Sequence, residues 1–406
     1  MTRRFPPVAA LAATLVLNSV VAANEFPAFT PHVIDPHPGE IVYAVTHADV
    51  DGDGKQDVVA VTGDAVYWYA APDWKKRVVI KDQTVRDNVC IAAHDIDGDG
   101  KIDFALGAGW PQKGGTIQWL SRNESLDENW NVHFIGEIPW THRMHWGDVL
   151  GTGTPQLTVS PLNKTEGDGV KLTAFEIPEN PKMDRWKATV LDDSLNRMHN
   201  HWHVEGAEGE PHRTLTASQE GIFLIGQGIL INGVREKPFA KMKVADGAAG
   251  DKPTEKGAGE VKVGKPMMRS DPLPTIKALL AMIEPMHGNM VVAYVPQRTG
   301  PHARIVLDDT LGRGHALWIA DLDADGDEEI VVGHSEPATG EIKGPGVYFY
   351  QAEDDTGAKW TKHVVDDGGM ATEDLFVLDL TGDGKPDIVA GGRNTHNVKL
   401  YVNGGK

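Results

Sequence analysis

The chain has one cysteine, few basic residues relative to acidic ones, and no long apolar run after its first 23 residues. Because Cys90 has no second cysteine to pair with in this sequence, an intramolecular disulfide is excluded as a stabilising element. The 39 Lys and Arg residues are outnumbered by 58 Asp and Glu residues, which gives a net charge of −19. This charge argues against nucleic acid and anionic membranes as partners.

Residues 1–23 have the pattern of a secretory signal. Arg3 and Arg4 precede the apolar stretch VAALAATLVLNSVVAA, which ends with small residues where a signal peptidase cleaves. The alternative is an uncleaved membrane anchor, which the shortness of the apolar run disfavours. We therefore predict a secreted or periplasmic protein with no membrane span after cleavage.

Four stretches are near-copies of one acidic loop: DVDGDGKQD from Asp49, DIDGDGKID from Asp95, DLDADGDEE from Asp321 and DLTGDGKPD from Asp379. Glycine at the sixth position allows a sharp bend, and the acidic residues supply the oxygen ligands that calcium prefers. We predict structural calcium sites; the alternative is a solvated acidic turn without metal. The predicted ligands are Asp49, Asp51, Asp53, Asp57, Asp95, Asp97, Asp99, Asp103, Asp321, Asp323, Asp325, Glu329, Asp379, Asp383 and Asp387.

The segments around these loops are strands rather than the helices of an EF-hand. They are apolar and β-branched, as in IVYAVTHA before the first loop and VVAVTG after it. An aromatic strand follows, and then a strand that a tryptophan opens at positions 74, 130, 186 and 360. A four-stranded unit that recurs about every 40 to 60 residues is typical of the blades of a β-propeller.

The two ends of the chain predict how the ring closes. The last strand, NVKLYVN, is the third of its unit, and the early segment FTPHVID from Phe29 resembles the outer strand WTKHVVD. We expect this segment to complete the last blade. Outer strands near positions 29, 74, 130, 186, 237, 302 and 360 then give an all-β, seven-bladed β-propeller as a single domain over 24–406. A stretch rich in Gly, Ala and Lys, at about 241–264, is predicted to be a flexible insertion in blade five.

The acidic loops, with the strands VVAV, FALG, IVVG and IVAG that follow them, resemble FG-GAP/VCBS repeats, the calcium-loop propeller units also found in integrin α subunits. The phrases GRGHALWIADLDADGDEEIVVG and IEPMHGN resemble the propeller domain of the aldos-2-ulose dehydratase family, here without the cupin domains that follow it there. This second resemblance implies action on keto-sugars with the help of a bound metal.

The loops that precede the first strand of each blade, the leading loops, face away from the acidic loops and concentrate histidine and arginine. The predicted catalytic residues are His142, Arg143, His145, His199, His201, His203, Arg313, His315 and Glu373. In HNHWH, alternation along an extended chain predicts one shared face for its three histidines. We hypothesise that histidines from blades three, four and six, with Glu373, bind a catalytic zinc or other divalent metal at the channel mouth. The strand count places His287 on the calcium face, as a weaker candidate.

Two functions remain open at this point. If the keto-sugar resemblance holds, the reaction is a β-elimination by a lyase or dehydratase on keto-sugars or uronic-acid glycans, with Arg143 and Arg313 holding a carboxylate or oxyanion. Trp140, Trp146, Trp202 and Trp318 would stack on the sugar. The alternative is a non-catalytic, secreted glycan- or protein-binding propeller, in which the histidines hydrogen-bond carbonyls or pack between blades.

Overall fold

The computed structural model describes residues 28–110, 115–206, 210–227, 238–266, 278–297, 301–354 and 356–405. These residues form 28 strands in seven four-stranded antiparallel sheets, together with one short 3-10 helix. The predicted all-β, seven-bladed propeller is confirmed. The predicted secretory signal at 1–23 lies outside the described residues. Within the described ranges, no helix has the length and apolar character needed to cross a membrane.

Each blade is built from four strands that run in order from the central channel outward. Blade one comprises β2 (Val42–Ala48), β3 (Asp57–Thr62), β4 (Ala65–Ala70) and β5 (Lys75–Lys81). Blade two comprises β6 (Cys90–His94), β7 (Asp103–Ala108), β8 (Thr116–Ser121) and β9 (Asn131–Glu137). Blade three comprises β10 (Thr141–Gly147), β11 (Gln156–Pro161), β12 (Val170–Glu176) and β13 (Lys187–Leu195).

The remaining blades follow the same order. Blade four comprises β14 (Asn200–Val204), β15 (Arg213–Ser218), β16 (Gly221–Gly226) and β17 (Ala240–Ala245). Blade five comprises β18 (Glu260–Pro266), β19 (Ala278–Glu284), β20 (Met290–Val295) and β21 (Ala303–Asp308). Blade six comprises β22 (Gly312–Ala320), β23 (Glu329–Glu336), β24 (Gly346–Ala352) and β25 (Trp360–Asp367). Blade seven comprises β26 (Thr372–Leu378), β27 (Asp387–Gly392), β28 (Val398–Asn403) and β1 (Phe29–Asp35).

The core lies between adjacent blades, so the middle strands are covered on both faces. Every residue of β3 and of β27 is buried. This explains why their sequences, DVVAVT and DIVAGG, are apolar without alternation, since neither face meets water. Large aromatic side chains, including Trp68, Trp119 and Trp130, fill the space between sheets and are fully buried.

The N-terminal strand closes the ring, as predicted. β1 pairs antiparallel with β28, with Phe29 opposite Asn403 and His32 opposite Leu400. At the end of β1, the Asp35 carboxylate accepts a hydrogen bond of 2.8 Å from the Tyr69 hydroxyl. The same carboxylate pairs with the Lys76 ammonium at 2.7 Å. Blade seven is thereby tied to blade one.

The stretch predicted to be a flexible insertion, at about 241–264, has blade strands at both of its ends. β17 occupies its start, β18 occupies its end, and the 3-10 helix Pro253–Glu255 lies between them. β18 alternates in the sequence EVKV, but Glu260 and Lys262 are buried along with Val261 because both faces of this first strand are covered. Composition therefore suggested a solvated segment where the chain lines the channel. Because β18 was not recognised as a strand, the turn after β19 was assigned to the wrong face in the predicted count.

Candidate functional site

Three acidic loops bring carboxylates together on one face of the propeller. The clustered groups, each with ligand atoms within 4.8 Å of one another, are Asp49, Asp51 and Asp53; Asp95, Asp97 and Asp99; and Asp321, Asp323 and Asp325. Backbone amides shape these loops from within, as when the amides of Gly52 and Gly54 donate to Asp49 at 2.8 and 3.0 Å. An all-oxygen donor set suits a hard cation such as calcium. Calcium binding itself stays a prediction.

The ninth-position carboxyls, at Asp57, Asp103, Glu329 and Asp387, are buried and are not members of these clusters. Instead they accept backbone hydrogen bonds across the loop, as from the Val50 amide to Asp57 at 3.0 Å. Burial raises the pKa of Asp103 to about 7 and that of Glu329 to about 8.

The fourth acidic loop has Thr381 at its third position. Asp379 and Asp383 therefore do not form a three-carboxylate group among the described residues. Ligation by these two residues and by the ninth positions remains a prediction.

On the opposite face, three imidazoles converge from three blades. His199 precedes β14, His287 lies in the turn between β19 and β20, and His315 lies in β22. Their ligand atoms lie within 4.8 Å of one another. The Nε2 atoms of His199 and His287 are 2.8 Å apart, and the rings of His287 and His315 stack at a centroid distance of 4.7 Å. We call this group the histidine trio.

The trio differs from the predicted cluster in one blade. His199 and His315 were predicted, but the third member comes from blade five rather than blade three. The placement of His287 on the calcium face is wrong, because β18 is the first strand of blade five and the turn after β19 lies on the leading-loop face. His142 of blade three lies beside the trio, where its Nδ1 donates to the His199 carbonyl oxygen at 3.0 Å.

Polar contacts set the orientation of two trio members. His315 Nδ1 lies 2.6 Å from the Glu373 carbonyl oxygen, which can only accept, so Nδ1 carries the proton and Nε2 keeps its lone pair. His199 Nδ1 lies 2.8 Å from Glu260 Oε1, an ion-pair contact without the alignment of a hydrogen bond. Glu260 Oε2 accepts a hydrogen bond of 2.6 Å from Asn200 Nδ2. Such outer partners orient histidine ligands in metal sites.

Burial also favours the neutral form of the rings. It is the main reason that the pKa values of His142, His287 and His315 fall well below the ordinary histidine value, and neighbouring cationic groups lower them further. Neutral imidazole is the form that binds metals. Three imidazole nitrogen donors, with carboxylates around them, fit zinc or a similar divalent transition metal better than calcium.

Charged groups surround Glu373 at the mouth of this site. Arg393 Nη1 lies 2.5 Å from Glu373 Oε1, and Arg313 Nη1 lies 3.8 Å from Glu373 Oε2. Glu373 Oε1 is also 3.5 Å from His315 Nε2. Arg393 was missed by sequence reasoning, because it follows β27 and lies far from any leading loop in sequence.

The other predicted histidines form a second group. The rings of His145 and His201 lie 4.8 Å apart, and His201 Nδ1 lies 2.9 Å from Ser160 Oγ. His203 lies 5.6 Å from His201 between ring centroids. The structure therefore does not bring the three histidines of HNHWH to one point. His199 precedes β14, so strand alternation does not extend to it.

Residues that lie mostly on the first strands of the blades line a cavity of about 510 Å³. Arg143, Lys262 and Asp374 line it together with Trp202 and Trp318. We call this cavity the channel chamber. A larger groove, of about 1000 Å³, lies on the outer surface between β9 and β13 and contains none of the predicted catalytic side chains.

The fold and repeated loops define the class of this protein: a seven-bladed β-propeller that contains FG-GAP-like repeats. The family model for the FG-GAP-like repeat matches residues 49–106 and 321–390. The family model for the β-propeller domain of aldos-2-ulose dehydratase matches residues 114–297, which include two trio members and Glu260. Both predicted resemblances are confirmed.

A curated relative is aldos-2-ulose dehydratase of Phanerodontia chrysosporium, which is 25% identical over 276 residues. The match covers 61% of this chain and 29% of that protein, so the chain spans less than a third of its length. A solved structure, a putative 6-phosphogluconolactonase from Bacteroides fragilis, aligns over 88% of this chain and 89% of its own at 12% identity with a TM-score of 0.51, which shows the fold alone. An Agrocybe aegerita lectin specific for non-reducing terminal N-acetylglucosamine aligns over 80% of this chain and 81% of its own, at 12% identity and a TM-score of 0.48.

Proposed function

We propose that this protein is a secreted, calcium-stabilised propeller that acts on carbohydrate as a metal-dependent carbon–oxygen lyase. The substrate would be a keto-sugar or a uronic-acid glycan, and the reaction a β-elimination at the histidine trio. The observation that carries the proposal is the convergence of three imidazoles from three blades within 4.8 Å. The relation to an aldos-2-ulose dehydratase propeller supports the choice of substrate class.

His199, His287 and His315 would hold the metal, with Glu260 and Glu373 as outer carboxylates. A divalent ion bound there supplies Lewis-acid polarisation of a carbonyl or hydroxyl oxygen. The protein orients two of the three candidate ligands, because His315 contacts the Glu373 carbonyl and His199 contacts Glu260.

We infer that Glu373 takes the proton from the carbon next to the substrate carbonyl and returns it to the β-oxygen as the C–O bond breaks, so that the elimination forms a C=C bond and releases water or an alcohol. Its Oε2 has no hydrogen-bond partner among the described residues, and the side chain lies at the mouth beside the trio. Arg313 and Arg393 would hold a substrate carboxylate or the oxygen on which negative charge develops. Charge stabilisation by such fixed donors is strongest where water is excluded, and His199 and His315 are buried.

Elemental analysis of the purified protein tests the proposal. We expect calcium and about one equivalent of zinc, manganese, nickel or iron per chain. Replacing His315 by alanine should remove the transition metal, whereas His201→Ala, in the second histidine group, should retain it. Calcium without a stoichiometric transition metal would refute the metalloenzyme and leave a non-catalytic glycan- or protein-binding propeller. The elimination itself can be measured separately, because an unsaturated sugar product accumulates and absorbs ultraviolet light.

A further inference from the structure

The channel chamber contains a lysine that the proposed elimination does not use. Lys262 extends from β18 into the chamber, and only 6% of its surface is exposed. Its Nζ lies 3.6 Å from the centroid of the Trp202 ring and 5.2 Å from that of Trp318. Across the part of the chain that the structure describes, Nζ has no hydrogen-bond acceptor and no carboxylate within 4.0 Å. A buried lysine is almost always paired, so this one is unusual.

Two partly buried lysines in the propeller show the contrast. Lys362 also lies over an aromatic ring, at 4.0 Å from the Tyr348 centroid, but its ammonium pairs with the Asp308 carboxylate at 2.7 Å. Lys399 likewise pairs with Asp366 at 2.8 Å. A carboxylate partner keeps such an amine protonated and unreactive, whereas Lys262 is held by indole rings alone.

The charges around Lys262 do not compensate for its burial. Burial lowers its pKa, Arg143 lowers it further, and the more distant Glu260 and Asp374 raise it. The net direction is downward, so a larger fraction of neutral amine is present than on a surface lysine. Desolvation in an apolar pocket is one of the ways in which proteins activate a lysine as a nucleophile.

We propose that Lys262 forms a reversible imine with the carbonyl group of a small aldehyde or ketone, such as the open-chain form of a sugar, in the channel chamber. The Nζ lone pair adds to the carbonyl carbon, and the carbonyl oxygen takes up a proton to give a carbinolamine. This hydroxyl then leaves as water with the remaining proton of the nitrogen, and a C=N bond forms. Addition of water reverses the sequence, so no oxidant or reductant is needed.

The size and walls of the chamber suit such a ligand. A volume of about 510 Å³ lies within the usual range for small-molecule sites. Trp146 and Phe376 add aromatic surface to the two indoles that hold Lys262. Aromatic faces with a few polar groups are the common lining of ligand pockets. The site does not require a metal, and none of the three trio histidines lines the chamber, although Glu260 does.

Reductive trapping of the full-length protein tests the inference. The probe is glycolaldehyde at low concentration with sodium cyanoborohydride at neutral pH, and peptide mapping by mass spectrometry measures the rate at each lysine. We expect Lys262 to be modified at least tenfold faster than the exposed Lys81 and the carboxylate-paired Lys362. Equal or slower trapping at Lys262 in protein with a native melting transition would overturn the proposal.

Two variants separate this site from the proposed lyase. Lys262→Met keeps an apolar chain between the indoles and should abolish the fast reaction while leaving trapping at Lys81 unchanged; fast trapping that persists elsewhere would also overturn the assignment. If that variant does not fold, the ratio of rates within the wild type decides alone. In His315→Ala, which is expected to lose the transition metal, Lys262 should still be trapped fast. Failure of the metal site and failure of the imine are therefore observed independently.

Discussion

Replacing Glu260 by glutamine should weaken metal binding by the histidine trio without unfolding the propeller. Glu260 Oε1 lies 2.8 Å from His199 Nδ1, and Oε2 accepts a 2.6 Å hydrogen bond from Asn200. Burial acts to raise the pKa of Glu260, but the contact with His199 and the charges of Arg143 and Lys262 hold it below its ordinary value. Glu260 is therefore an anion, and its contact with His199 Nδ1 increases the electron density on Nε2, the nitrogen that would bind the metal. Glutamine keeps the shape and removes that charge.

The magnitude follows from the role of such carboxylates in metal sites. Loss of an outer carboxylate lowers metal affinity roughly 10- to 100-fold. This corresponds to about 1.4–2.7 kcal/mol of binding free energy. We expect an effect toward the upper end, because Glu260 is only 3% exposed and little water is present to replace it.

Competition between the protein and a chromogenic chelator for zinc at neutral pH measures this affinity directly. Asp308→Asn serves as the matched control, since Asp308 is a carboxylate of the same blade whose side chain bonds Lys362, Tyr350 and Thr310 rather than a member of the trio. Its zinc affinity should equal that of the wild type. An unchanged dissociation constant for Glu260→Gln in folded protein would refute the assignment of Glu260 as the positioning residue of His199.

Three further outcomes concern calcium, ring closure and the choice of ligands. Chelation should lower the melting temperature and added calcium should restore it, because a ligand of the folded state stabilises that state; a melting curve indifferent to chelator would contradict structural calcium. Asp35→Asn should cost about 1–3 kcal/mol at neutral pH through the lost carboxylate contacts to Tyr69 and Lys76. Burial acts to raise the pKa of Asp35, but these partners hold it below 3.8, so the stabilisation is lost as acid protonates the carboxyl. The difference in the free energy of unfolding between wild type and variant should therefore disappear below about pH 4. Chemical denaturation at neutral and at acid pH measures this difference, and an equal difference at both pH values would contradict the reasoning. His315→Ala should lose transition metal while His201→Ala keeps it, and the reverse pattern by elemental analysis would mean that the second histidine group holds the metal.

The fold was predictable because each level of the sequence carries the same signal. The acidic loops mark the turn after the first strand, the apolar strands that follow are buried on both faces, and tryptophans recur at the outer strands. Even ring closure could be predicted from the similarity of FTPHVID to WTKHVVD. Each sheet must be covered on both faces by its neighbours, so the same hydrophobic pattern recurs in blade after blade.

The site was only partly predictable, since it is not repeated. His199 and His315 stand out by composition, but His287 was displaced by the misreading of β18 as an insertion. Glu260 and Lys262 were hidden in the same stretch, because polar side chains usually indicate solvent and here face a channel. The alternation of side chains along a strand also gave a wrong prediction at the start of β14. It predicted a common face for His199 and His201, but the strand begins after His199.

The distribution of acidic loops around the ring has a physical explanation in blade three. The four loops occur in blades six, seven, one and two, which form one continuous arc, while most of the candidate histidines come from blades three and four. In blade three the sequence DVLGTGTPQ replaces the ninth-position acid by Gln156, which is 1% exposed. Its Oε1 accepts from the Leu150 amide at 2.8 Å, as the acids do elsewhere, and its Nε2 donates to Thr152 Oγ1 at 2.7 Å and to the Thr154 carbonyl. A neutral amide thus satisfies the loop with both a donor and an acceptor, so this loop needs no cation to balance converging carboxylates. We therefore expect chelation of calcium to destabilise blades six, seven, one and two first. The histidine trio would be affected through His315, which belongs to blade six.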